Sequence, residues 1–355
     1  MRLLVVTNDY PPKAGGIQMY LQNLVDAYPD PVHVVAPSDD RASSDVTGVT
    51  RGHRSYMLPT ATTYDLVAQA ASKFRPDAIF FGAPHPLTPL GSKLREAFDV
   101  PFGILSHGAE ITLPGAVPLA RRRLGKWLAA ADVRFAVSRF TADKVEALAH
   151  APVTFLGSGV QVDTFTPPAV PPANSKPVIG CVSRFVPRKG QDRLIEAVAM
   201  LDTDVQLLLV GTGRTEESLR KKTEALGVDA RFEIDVPWAD LADLYRQMDV
   251  FVMPCRSRWG GLEVEGLGLV FLEAAASGVP VIVGDSGGSP ETVIAGKTGY
   301  VATEPSEIAT LISSLLADRE KASAMGLAGR EFVTSEFTWD RVVTRLRDGF
   351  SPRLR

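Results

Sequence analysis

Val178-Ile179-Gly180-Cys181-Val182-Ser183 runs directly into Arg184-Phe185-Val186-Pro187-Arg188-Lys189-Gly190. The first stretch is a short apolar run, the pattern of a strand buried on both faces. The second is a polar turn closed by proline and glycine, and an amphipathic helical pattern follows it. The chain opens in the same way. Residues 3–7 form an apolar run that leads into Asn8-Asp9-Tyr10-Pro11-Pro12-Lys13-Ala14-Gly15-Gly16 and then a helical pattern. Two strand–loop–helix openings in one chain predict two doubly wound α/β units. In such units ligands sit at the carboxyl ends of the strands, so the expected site is a cleft where the units face each other.

Working outward, apolar runs alternate with amphipathic segments on both sides of a break. In the first half the strand candidates are residues 3–7, 32–36, 78–81, 102–106, 133–137 and 153–156. Helical patterns cover 16–28, 64–74 and 138–148. Residues 166–177 carry five prolines (167, 168, 171, 172 and 177) without apolar periodicity, which reads as a linker. Alternation then resumes, with strand candidates at 178–183, 205–211, 231–234, 250–254, 279–283 and 299–302. The remainder is helical, with a break near Thr338. The expected division is 1–167, 168–337, and a terminal segment 338–355 whose helix returns to the first domain.

Bulk properties agree with this organisation. The 355 residues exceed what one compact domain usually holds, and 45% hydrophobic residues are enough for two cores. A formal charge of −3 gives no global attraction to nucleic acid. The two cysteines, Cys181 and Cys255, lie in apolar runs, which speaks against a disulfide framework and for a reducing cytoplasm. The start, residues 1–9, reads as a strand rather than a signal peptide. No apolar stretch approaches the roughly 20 residues of a spanning helix, so the expectation is a soluble or peripheral protein.

Three segments can carry chemistry. Gly15-Gly16 precede a helix, where glycine permits close backbone approach and free N–H groups suit an anion; the plainer reading is a tight turn. Arg184 and Lys189, with Arg188 and Arg193 nearby, follow a buried strand and suit a diphosphate: arginine as a planar fork, lysine as a point charge. Alone they also read as a solvated basic loop. The third segment runs Gly260-Gly261-Leu262-Glu263-Val264-Glu265-Gly266-Leu267-Gly268-Leu269-Val270-Phe271-Leu272-Glu273. Its two carboxylates bracket a glycine-containing turn and the start of an apolar helix. Spread over helix they would stand roughly 7–12 Å apart along the axis. Each would need a partner, because an unpaired glutamate on an apolar face is costly.

At these residues the chain resembles the retaining glycosyltransferases of family 4, with their two-domain GT-B fold. The resemblance rests on Glu265-x7-Glu273 and Arg184-x4-Lys189 and spans essentially the whole chain. It tightens at Thr7-Asn8-Asp9-Tyr10-Pro11-Pro12 with Gly15-Gly16-Ile17-Gln18, at Met57-Leu58-Pro59-Thr60, and from Ser183 to Asp192 and Gly260 to Glu273. There the sequence is similar to the actinobacterial GDP-mannose-dependent phosphatidylinositol mannosyltransferases, especially those acting on phosphatidylinositol monomannoside. The resemblance implies roles. Arg184 and Lys189 would bind the donor diphosphate and Glu273 the ribose hydroxyls. Glu265 would lie near the sugar hydroxyls, with backbone contacts from Gly266, Leu267, Gly268, Leu269 and Val270. Gly15 and Gly16 would approach the phosphate, and His107 would sit beside the transferred sugar. The base would be read around Asp235 and Val236, where the stretch Ile234-Asp235-Val236-Pro237-Trp238 lacks the usual glycine. A lone histidine after a strand otherwise reads as structural.

Other patterns carry less. Asp202-Thr203-Asp204 reads as a solvated turn rather than a metal motif, and no cluster has metal-ligand spacing. Gly211-Thr212-Gly213 is followed by Glu216 where a dinucleotide fingerprint needs glycine. No metal and no cofactor beyond the nucleotide-sugar co-substrate are expected. Arg121, Arg122, Arg123 and Lys126 interleave with Leu119, Leu124, Trp127 and Leu128. On a helix they would suit an anionic membrane surface beside a lipid acceptor, or simply an ordinary surface helix. A donor or acceptor of another kind (a glycolipid or soluble polyol), a nucleotide-sugar epimerase and a non-catalytic nucleotide-sugar binder remain alternatives.

Overall fold

In the computed structural model, residues 1–13, 15–42, 48–170 and 174–354 are described. Ala14 and the prolines Pro171 and Pro172 of the predicted linker lie outside the described residues. The chain divides into two compact units, Met1–Gly159 with Trp339–Arg355, and Val160–Thr338.

The first unit carries β1 (Leu3–Val6), β2 (Val32–Ala36), β3 (Val49–Arg51), β4 (Ala78–Phe81), β5 (Phe102–Ser106), β6 (Val133–Ala136) and β7 (Thr154–Phe155). They form one sheet in the order β3-β2-β1-β4-β5-β6-β7, every pairing parallel. Leu3 is registered against Val32 on one side and Ala78 on the other. All residues of β1 and β4 are buried. That is the environment in which a run such as Leu-Leu-Val-Val is stable as a strand, since helices cover both faces. The strands coincide with the apolar runs of the sequence to within one or two residues. The exception is β3, whose Val-Thr-Arg is only partly buried and carries no apolar run to find.

The second unit repeats the plan with β8 (Val178–Val182), β9 (Gln206–Val210), β10 (Ala230–Glu233), β11 (Val250–Met253), β12 (Val281–Val283) and β13 (Gly299–Val301). The order is β10-β9-β8-β11-β12-β13, again all parallel. In each sheet the order reverses beside the first strand of the unit, at β1/β4 and at β8/β11. Such a switch point leaves a crevice at the carboxyl ends of the strands.

The units divide eight residues before the boundary read from the sequence, at 159/160 instead of 167/168. Prolines marked the wrong end of the segment because residues 160–167 are fastened by polar contacts. The Val160 N–H donates to the Phe337 carbonyl at 2.8 Å. Arg330 donates to the carbonyls of Phe165 and Ala276, and Arg246 to those of Thr164 and Thr166. All of these partners lie in the second unit.

The helix Trp339–Phe350 belongs to the first unit. Trp339, Val342, Val343, Leu346 and Phe350 are its buried face, at the spacing of a helical stripe. Phe350 rests on Phe135 at 5.6 Å between ring centroids. A Cβ at Gly103 would lie 2.6 Å from the Phe350 ring, so β5 has a glycine where the terminal helix docks. We expect Phe350→Ala to cost about 3–5 kcal/mol, read from urea unfolding of the intact chain. An unchanged first transition would show that the helix does not support this unit.

Candidate active site

Behind β8 the chain makes the turn that the sequence marked, and three contacts fix its shape. The Gln191 side-chain amide donates to Ser183 Oγ at 2.8 Å and to the Arg184 carbonyl at 3.0 Å. Gly190 sits at φ +79°, and a Cβ there would lie 2.1 Å from the Pro254 carbonyl oxygen, so only glycine fits. Pro187–Lys189 form one turn of 3-10 helix that draws Lys189 inward until it is 8% exposed.

The cations then separate into two kinds. Lys189 Nζ lies 2.8 Å from Glu265 Oε2, and the Arg188 guanidinium pairs with the same oxygen. Arg184 is exposed, and no carboxylate among the described residues pairs with it. The sequence paired Arg184 with Lys189 and left Arg188 as a neighbour. In the folded unit Arg188 and Lys189 converge on Glu265. Burial would raise the Glu265 pKa, but the charges and hydrogen bonds of Lys189 and Arg188 override it and hold the carboxyl at about 2. Two cations against one carboxylate leave one positive charge, and Arg184 adds a second, which suits a diphosphate.

Glu265 does not lie on the helix. That helix is Leu269–Ala276, and Gly268 before it adopts φ +93°. Only the single turn from Leu269 to Glu273, about 6 Å of rise, separates Glu273 from the helix start. The Glu265 backbone is held by its N–H to Ser286 Oγ at 3.1 Å and by its carbonyl, which accepts from the Gly288 N–H at 3.0 Å. Between the two glutamates, none of the N–H groups of Gly266, Leu267, Gly268, Leu269 and Val270 meets an acceptor among the described residues. A run of free amides at a helix start is an anion-binding arrangement.

Glu273 has the partner that its apolar helix requires. The Tyr245 hydroxyl donates to Glu273 Oε2 at 2.8 Å. Burial pushes the carboxyl up to about 7, and the Tyr245 hydrogen bond opposes that rise. Tyr245 is a residue that sequence reading missed, since it looks like any aromatic in an amphipathic helix. Asp235 and Val236 follow β10, and Asp235 sits at φ +54°. Glycine suits that left-handed conformation, and aspartate is among the few other residues that tolerate it.

The first unit places His107 directly after β5. Its Nε2 is 3.0 Å from the Gly82 carbonyl, which can only accept, so Nε2 carries the proton and Nδ1 has the lone pair in the neutral ring. The Glu110 carboxylate accepts from the N–H groups of both His107 and Gly108. The Tyr20 ring packs edge-on to the imidazole at 5.4 Å. Gly15 caps the helix Gly16–Ala27 at φ 154°, and a Cβ on it would meet Gln18 Oε1 at 2.2 Å. A Cβ on Gly16 would meet nothing within 4 Å among the described residues, so packing within the protein does not demand glycine there.

The basic segment forms the helix Pro118–Ala130. Leu124, Gly125 and Leu128 face the unit, while Arg121, Arg122, Arg123 and Lys126 are exposed. Beside them Leu113, Val117 and Leu119 are exposed too, Leu119 by 60%. An apolar groove of about 380 Å³ opens here, lined by Pro86, Pro114, Val117, Leu119, Leu124 and Trp127 among others. No helix among the described residues is long and apolar enough to cross a membrane. Asp204, in the turn set aside from the sequence, pairs with Lys176 at 2.9 Å.

The chain is similar to known proteins along nearly its whole length. The model of Glycosyltransferase Family 4 matches residues 14–187, and that of glycosyl transferases group 1 matches residues 163–332. A GDP-mannose-dependent monoacylated alpha-(1-6)-phosphatidylinositol monomannoside mannosyltransferase of Corynebacterium glutamicum is 38% identical, over 97% of this chain and 96% of its own. A GDP-mannose-dependent alpha-(1-6)-phosphatidylinositol monomannoside mannosyltransferase of Mycolicibacterium smegmatis is 37% identical, over 99% and 98%. Among solved structures, Anabaena HepE in complex with UDP matches with a TM-score of 0.85 at 19% identity, covering 99% of this chain and 100% of that one. Sucrose-phosphate synthase from Thermosynechococcus elongatus matches at 0.82 and 22% identity, covering 99% and 98%. These two likenesses show the GT-B fold. With relatives aligned along nearly its whole length and family models on both halves, the chain belongs to glycosyltransferase family 4 and is a glycosyltransferase.

Proposed function

We propose that this glycosyltransferase moves a mannosyl group from GDP-mannose to a hydroxyl of a phosphatidylinositol mannoside, with retention of the α configuration and without a metal ion. The observation that carries the donor half is the arrangement around Glu265: Arg188 and Lys189 on its carboxylate and, among the described residues, no carboxylate on Arg184 and no acceptor for five consecutive amides. The named activity of relatives at 37–38% identity supports the choice of sugar and acceptor.

In this reading the leaving group is a nucleoside diphosphate. Arg184, Lys189 and the amides of Gly266 to Val270 stabilise the charge that develops on it, the electrostatic form of catalysis. These cations occupy the role a divalent metal would otherwise fill. Glu273 accepts from the ribose hydroxyls, and the backbone at Asp235 and Val236 meets the base. Gly15 and Gly16 approach the phosphate, and His107 lies beside the transferred sugar. A double displacement needs a carboxylate nucleophile at the anomeric carbon. Glu110, next to His107, is engaged by two backbone amides. The path favoured is therefore front-side. The acceptor oxygen bonds to the anomeric carbon as the bond from that carbon to the phosphate oxygen breaks, and the acceptor proton passes to the leaving phosphate.

The lipid half rests on the helix Pro118–Ala130. Its three arginines and Lys126 face anionic headgroups, and the exposed Leu113, Val117 and Leu119 with their apolar groove meet acyl chains. The enzyme would then work as a peripheral protein on the inner face of the plasma membrane.

Radiolabelled GDP-mannose, UDP-glucose and UDP-GlcNAc tried against phosphatidylinositol, its monomannoside and free inositol derivatives should give lipid-soluble product only with GDP-mannose and a phosphoinositide. Product from another donor, or epimerised nucleotide sugar from donor alone, would overturn the assignment. Arg184→Ala should lower turnover by about a hundredfold in a folded protein, and near-normal turnover would remove Arg184 from the site. In flotation with phosphatidylserine vesicles, the triple variant Arg121→Glu, Arg122→Glu, Arg123→Glu should stay at the bottom of the gradient while wild type floats. Equal flotation would sink the membrane contact.

A further inference from the structure

Glu273 has one oxygen held and one open. Oε2 accepts from the Tyr245 hydroxyl, while Oε1 has no hydrogen-bond partner among the described residues. The residue as a whole is partly buried. A glutamate side chain has three rotatable bonds, and an unanchored one pays entropy each time it is ordered by a ligand. Here the tether removes that freedom in advance.

The tether is itself rigid. Tyr245 is fully buried and ends the short helix Leu241–Tyr245. Its ring packs edge-on to Phe165 at 5.6 Å and against Phe251 at 5.8 Å. Phe165 in turn meets Trp238 edge-on at 5.7 Å, three residues beyond Asp235. The Phe165 backbone is pinned by Arg330 through its carbonyl at 2.9 Å. One aromatic cluster thus supports both the carboxylate and the loop that follows β10. Leaving a phenol hydroxyl in such a core is costly unless it has a use, because phenylalanine would fill nearly the same volume with no buried polar atom.

We infer that Tyr245 is a positioning residue for the donor: its hydroxyl locks the Glu273 carboxylate in the orientation that receives the ribose diol. This rests on the reading of Glu273 as the ribose ligand. Tyr245 touches no substrate and works through Glu273. Its influence reaches the protonation of that group as well as its rotamer. Burial raises the Glu273 carboxyl and the Tyr245 hydrogen bond lowers it. Tyr245, raised well above its ordinary value by burial and by Glu273, keeps its proton and remains the donor. The Cys181 thiol on β8 also raises Tyr245, and is itself pushed up to about 12 by burial.

The ionised carboxylate accepts from both ribose hydroxyls, so nucleotide affinity rises as pH climbs through the Glu273 pKa. Losing the tyrosine hydrogen bond moves that pKa upward, and the rise in affinity moves to higher pH with it.

The test is calorimetric titration of the full-length protein with GDP between pH 5.5 and 8.5, for wild type, Tyr245→Phe, Glu273→Gln and the double variant. Melting temperatures are recorded alongside to confirm folding. We expect Glu273→Gln to weaken GDP and abolish the pH-dependent rise. Tyr245→Phe should weaken GDP about tenfold near pH 7 and shift the rise to higher pH, with KM for the donor raised more than kcat is lowered. In the Glu273→Gln background the tyrosine substitution should have no further effect. If Glu273→Gln leaves GDP affinity unchanged, the ribose assignment falls. If Glu273→Gln weakens GDP but Tyr245→Phe leaves both affinity and pH profile as in wild type, the ribose assignment stands and the positioning role of Tyr245 is overturned. Additive losses in the double variant overturn it too, because a tyrosine that merely fills the core acts independently of Glu273.

Discussion

A parallel strand covered on both faces has no side chain to offer a ligand along its length, so chemistry is confined to the loops at its ends. Every residue of β1, β4, β8 and β11 is buried. The candidate groups lie where this constraint puts them. Arg184, Arg188 and Lys189 follow β8, Asp235 and Val236 follow β10, His107 follows β5, and Gly15-Gly16 stand where the loop after β1 enters its helix. The sheets supply rigidity, and the turns supply function.

Around Glu265, buried charge is handled by pairing. Lys189 and Glu265 are each 8% exposed, and neither could be so deeply placed alone. Their partnership with Arg188 lets two cations meet on one carboxylate without mutual repulsion dominating. Glu273 follows a different rule. Its partner is a neutral hydroxyl, which satisfies one oxygen without neutralising the charge, so burial still lifts its pKa. Two glutamates eight positions apart therefore have their pKa values moved in opposite directions by what packs against them.

Much of this was legible beforehand, for definable reasons. Apolar runs of four or five residues located the strands because strands buried on both faces demand them. The short, half-buried β3 has no such demand and left no signal. Proline placed the linker, but proline reports local backbone preference. The true boundary is set by Arg246 and Arg330 holding the carbonyls of Thr164, Phe165 and Thr166. Those contacts span about 80 and 165 positions and leave no local trace. Tyr245 was invisible for the same reason, being 28 positions from the carboxylate it touches.

The sequence by itself determined the two α/β units, the alternation that builds them, and the residue types at the strand ends that mark a family 4 glycosyltransferase. Each of these depends on neighbours within a few residues or on motif spacing, which a linear string records. Tertiary structure alone decided which cation meets which carboxylate and where the helix after Gly268 begins. It also decided that Glu273 is tethered and that the amides of Gly266 to Val270 meet no acceptor among the described residues. Those are matters of through-space distance and desolvation, and they arise only when residues tens of positions apart are brought within hydrogen-bonding reach.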